Sequence, residues 1–136
     1  MSLMLEKSNQ NYEAFVHLKE RNCGIPSVHC AYYSCFQKMM YAFKDYFPDE
    51  FSRVNLEMKG RRGTLHKTYA KEFFGELTGI NIKRDDVRKM KNNLQNLYNL
   101  RLEADYGETE ITENKLTSVE QSLTEFRRIF KQTTNY

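Results

Sequence analysis

An all-α fold is what this sequence predicts: one domain built as an antiparallel bundle of four to five helices. Three observations predict it. Apolar residues recur at spacings of three and four over long stretches, the helical period rather than the strand period. Only two Pro and six Gly occur in 136 residues, and the glycines fall mostly between the periodic segments, which disfavours a turn-rich sandwich. Cap-forming residues and short joints separate the segments, as in a bundle. A chain of this length buries a core without disulfides or a metal. Its 40% hydrophobic and 29% charged residues, with 9 Tyr and 9 Phe, are those of a globular domain rather than a disordered chain.

In chain order, residues 5–21 carry Tyr12, Phe15, Val16 and Leu18 among charges and read as a first helix. Pro26 and Ser27 signal the start of a second, along which Val28, Ala31, Tyr32, Cys35, Phe36, Met39, Met40, Phe43 and Phe47 keep the helical period up to Pro48. Met39 and Met40 are core filling by that spacing. Residues 48–63 show no sustained period, end on Lys59-Gly60-Arg61-Arg62-Gly63, and read as a loop. Thr64 is placed to cap a third helix carrying Leu65, Tyr69, Phe73 and Leu77, stopped by Gly79. From about Lys83 a fourth helix carries Val87, Met90, Leu94, Leu97 and Tyr98 and ends at Gly107. Thr112 caps a fifth with Leu116, Val119, Leu123, Phe126 and Phe130. There is no internal repeat, and Met1-Ser2-Leu3 before Met4 reads as a cloning leader.

Several function classes fall away. No apolar stretch approaches the roughly 18 residues that span a bilayer, and no basic start precedes an apolar run; a soluble, cytoplasmic protein without membrane association is expected. Cys23, Cys30 and Cys35 are odd in number, without zinc-finger spacing, and read as reduced thiols. His29 with Cys30 and Cys35 lacks a fourth ligand, so no metal is assigned, and no cofactor loop of the dinucleotide or Walker type occurs. A net charge of +3 is too small for the whole surface to clamp nucleic acid, so anion binding must be local.

The fourth helix holds the arrangement that packing alone does not explain. Advancing about 100° per residue, Arg101 and Asp105 fall within about 20° of Leu94, the centre of the apolar stripe. Four apart, they can pair, yet a shielded ion pair seldom improves on apolar packing, and an anion near a helix C-terminus opposes the macrodipole. Two readings stay open. One is a pair that fixes helix register; the other is a cleft or dimer seam where the guanidinium offers its rigid fork of donors to a phosphate, with Tyr106 alongside.

The segment His29-Cys30-Ala31-Tyr32-Tyr33-Ser34-Cys35-Phe36, followed by Leu100-Arg101-Leu102-Glu103-Ala104-Asp105-Tyr106-Gly107, resembles the small stand-alone HEPN proteins. These carry an AYYAxF-like segment, a middle helix that would begin here at Gly63-Thr64-Leu65-His66, and an R-x-x-A-D-Y segment. The resemblance runs from about Cys23 to Phe130. It implies a HEPN-like bundle of four to five helices that forms a homodimer, often encoded beside a nucleotidyltransferase as toxin and antitoxin or in phage defence. It also implies metal-independent endoribonuclease chemistry by an Arg followed four to six residues later by a His. Here that His position is Tyr106, and no His follows His66. A phenol with a reference pKa of about 10 is a poor base at neutral pH, and Asp105 is a weak one. The expectation is therefore binding of RNA, a nucleotide or a partner nucleotidyltransferase through Arg101. The alternative is a divergent endoribonuclease in which His66, Asp105 or Tyr106 moves the protons. Lys59, Arg61 and Arg62 offer phosphate contacts, with Tyr69 or Phe74 for stacking. Tyr32 lies on the core stripe, whereas Tyr33 points off it and is the freer of the two.

Overall fold

Ser2 opens the first helix: its hydroxyl accepts the Met4 N–H at 3.2 Å, supplying one of the partners that a helix start lacks. The computed structural model describes residues 2–61, 65–108 and 110–136. Among them the chain forms α1 (Leu3–Glu20), α2 (Gly24–Tyr46), α3 (Pro48–Met58), α4 (Leu65–Gly79), α5 (Arg84–Tyr106) and α6 (Glu113–Thr134), and no strand. None of these helices is long and apolar enough to cross a membrane.

The all-α expectation holds, with six helices rather than four or five. The missed element is α3, where a loop is expected from the sequence. Phe47, Phe51, Val54 and Met58 are spaced four, three and four apart, and Val54 and Met58 are buried at 0% and 5% exposure. Pro48 ends nothing here; it occupies the first turn of α3, where its missing N–H costs no hydrogen bond, and Asp49 and Glu50 favour the same helix start. Thr64, the expected cap of α4, lies outside the described residues. Thr112 does cap α6, accepting the Lys115 N–H at 3.2 Å.

α2 is the axis of the fold, packing against α1, α5, α6, α3 and α4. Val28, Ala31, Tyr32, Cys35, Met39 and Phe43 of the stripe read from the sequence are at most 1% exposed, as is Ala42, whereas Phe36, Met40 and Phe47 of that stripe are partly buried against the core. α1 lies closely along α2, and small polar groups permit it: the Ser8 hydroxyl donates to the Ser34 carbonyl at 2.6 Å and the Asn11 amide to Gln37 Oε1 at 2.8 Å. α4 adds Phe73, Phe74 and Leu77, α5 adds Met90, Leu94 and Leu97, and α6 adds Val119, Leu123, Phe126 and Phe130. One cation is carried inside with them. Lys38 is 6% exposed, and burial, aided by the Arg127 charge, pushes its pKa down to about 8. No carboxylate pairs with it among the described residues.

Candidate functional site: a guanidinium held among tyrosines

The last two turns of α5 lie against the first turns of α2, and this brings the two sequence segments together. Arg101 Nε donates to Asp105 Oδ2 at 3.2 Å, and the side chains are only 12% and 20% exposed. The pairing and shielding read from the helical wheel are therefore present. The same Asp105 oxygen accepts a second donor from across the helix contact, His29 Nδ1, also at 3.2 Å. Because a carboxylate only accepts, the proton of that bond sits on Nδ1.

The guanidinium carbon stands 5.2 Å from the Tyr33 ring centroid, 5.6 Å from that of Tyr32 and 6.0 Å from that of Tyr98. Such contacts are worth about 0.5 to 2 kcal/mol, more where water is excluded. They hold the charge without consuming its hydrogen-bond donors. Nε is committed to Asp105, while neither Nη group has a hydrogen-bond partner among the described residues.

His66, in the first turn of α4, completes the cluster. Its ring stacks on Phe36 at 4.3 Å and on Tyr32 at 5.5 Å, and its Nδ1 is 2.6 Å from the Tyr32 hydroxyl. Burial, and then the positive charge of Arg101, lower its pKa, so it is a neutral imidazole at neutral pH. Burial raises the Tyr32 phenol's pKa well above its usual value, keeping it protonated. We assign the phenol as donor to Nδ1, which puts the ring proton on Nε2. The basic nitrogen of His66 is then already occupied.

Other expected site residues lie apart. Tyr106, one residue past Asp105, is 75% exposed and is not among the rings around Arg101. Lys59 and Arg61 are exposed beyond the end of α3, and Arg62 lies outside the described residues. Tyr69 and Phe74 are corrected: at 9% and 2% exposure, with the Tyr69 hydroxyl donating to Asn55, they are core and offer no stacking face. Sequence reasoning passed over His29 as a partner for Asp105. His29, Tyr32, Tyr33 and Phe36 are spaced three, one and three apart on α2, and that spacing was the available signal. Among the described residues no three His, Cys, Asp or Glu side chains converge on a metal position.

Fold and site together describe a protein that is all-helical among the described residues, with a shielded guanidinium lined by aromatic rings. No protein-family model, curated protein or solved structure matches the chain.

Proposed function

We propose that this chain is a HEPN-like helical module that binds a phosphate of RNA or of a nucleotide at Arg101. On the strength of the sequence resemblance, its setting is a toxin–antitoxin or phage-defence system with a nucleotidyltransferase as partner. One observation carries the binding reading: a guanidinium only 12% exposed, fixed by Asp105 and three tyrosines, whose Nη fork has no partner among the described residues. A fork of that kind suits two oxygens of one phosphate. A purely structural Arg/Asp pair would gain most by satisfying every donor internally.

A second reading, the metal-independent endoribonuclease, is favoured by the position of His66 beside the same tyrosines. In-line attack on a phosphodiester needs a base as well as charge stabilisation. With its Nδ1 taken up by Tyr32, His66 must break that bond to serve as one. Binding without turnover is therefore the expected behaviour. Labelled total RNA in chelator should be retained by the wild type without cleavage, and at least tenfold more weakly by Arg101→Ala. Robust cleavage lost in both Arg101→Ala and His66→Ala would replace this reading with the enzymatic one.

The HEPN resemblance also implies a dimer with Arg101 of each copy facing a shared cleft. Two exposed large apolar residues support a contact here: Ile25 at 50% and Tyr106 at 75% lie within a turn of His29 and Asp105 along their chains.

A further inference from the structure

Beside the Arg101 cluster, α4 and α5 enclose a cavity of about 290 Å³. Its walls are Ala70, Leu94, Tyr98 and the edge of Tyr32; Gln95 and His66 supply hydrogen-bonding groups, and Lys67, Lys71 and Lys91 stand around it. Lys67 and Lys71 are one turn apart on α4, and Lys91 reaches the opening from α5. All three are exposed, and none pairs with a carboxylate among the described residues. Three like charges around one mouth repel one another, and an anion with more than one charge relieves that repulsion. The interior asks for something different from an anion. It is largely apolar and partly aromatic, near the lower end of the roughly 300 to 1,000 Å³ of small-molecule sites, with an amide that both donates and accepts.

We propose that this cavity holds one nucleotide unit, its base against Tyr98, Leu94 and Ala70 and its phosphate on Lys67, Lys71 and Lys91. Tyr32 and Tyr98 form a wall shared with Arg101, whose guanidinium carbon is 5.6 Å and 6.0 Å from their centroids. The lysines and Arg101 are thus two cationic stations reached from the same pair of rings. This assignment rests on the nucleic-acid reading of the Arg101 site and extends it to a second position. The unit is either a free nucleotide or one residue of a single strand.

The test titrates adenosine 5′-monophosphate and a short single-stranded oligoribonucleotide into the protein in chelator, read by tyrosine fluorescence, since the chain has no Trp. Lys71→Gln with Lys91→Gln should weaken the bound probe at least tenfold. It should also lower the slope of log affinity against log salt for the oligonucleotide by up to roughly 0.7, the share of the one phosphate these lysines hold. Lys7→Gln with Lys44→Gln, an equal charge change on α1 and α2, should leave both quantities unaltered. Binding of the mononucleotide assigns the cavity to free nucleotide, and lysine-dependent binding of the oligonucleotide alone assigns it to a strand. Failure of both probes to bind, or affinities indifferent to Lys71 and Lys91, overturns the inference. Indifference to these lysines with dependence on Arg101 removes the cavity and keeps the Arg101 reading; the reverse pattern does the opposite.

Discussion

Arg101 and Lys38, two of the cations that this fold shields, are treated in opposite ways. Arg101 has Asp105 and three aromatic faces, whereas Lys38 has Arg127 and Lys131 as charged neighbours and the Cys35 thiol, itself pushed up to about 12 by burial. Lowering a lysine from 10.5 to about 8 corresponds to on the order of 3 kcal/mol against the folded state at neutral pH. Between those two values the unfolded chain binds more protons, so stability rises with pH there, and the penalty is complete only below about 8. Lys38→Met should therefore be more stable than the wild type at pH 7 by about 2 kcal/mol, and the gap should close toward pH 10. Urea denaturation at both pH values checks this; a destabilised Lys38→Met, or a gap that ignores pH, would contradict it. Arg101 and Asp105 were legible because a one-helix wheel exposes a charge on an apolar stripe. His29 and Lys38 were not, since the partner of the first comes from another helix and the second sits one residue before Met39, on the edge of the stripe.

At the scale of elements, the long helices declare themselves because each repeats its apolar spacing over several turns. α3 does not: it is 11 residues long with only two fully buried side chains, and its signal includes Phe47, which belongs to the preceding joint. The α4/α5 cavity was equally hidden, because Lys67, Lys71 and Lys91 read as solvated faces until two helices meet. The end of α5 was visible as Gly107, and its reason is steric. A Cβ there would meet the Glu103 carbonyl oxygen at 2.5 Å, the same oxygen that accepts the Gly107 N–H at 2.8 Å. Gly107→Ala should cost about 1 to 3 kcal/mol and, by moving the turn that carries Asp105, weaken RNA binding. A thermal melt beside a binding curve tests both; a variant unchanged in each would show that this turn does not position the site.

For the whole molecule, the Arg101 cluster lies where α2 begins and α5 ends, beside exposed Ile25 and Tyr106, and a two-fold partner covering that region would leave two guanidinium forks near one strand. Sedimentation at roughly tens of micromolar should show a dimer, a rough scale for a stable complex, and Ile25→Glu should shift it toward monomer; a monomeric wild type would remove the shared cleft. Phosphate binding at Arg101, as proposed, does not depend on the dimer. Its most direct test compares Arg101→Lys with Arg101→Ala for affinity toward a short single-stranded RNA in chelator. Lysine keeps the charge but not the fork, so both variants should fall at least tenfold below the wild type while remaining folded. Wild-type affinity in Arg101→Ala would contradict it.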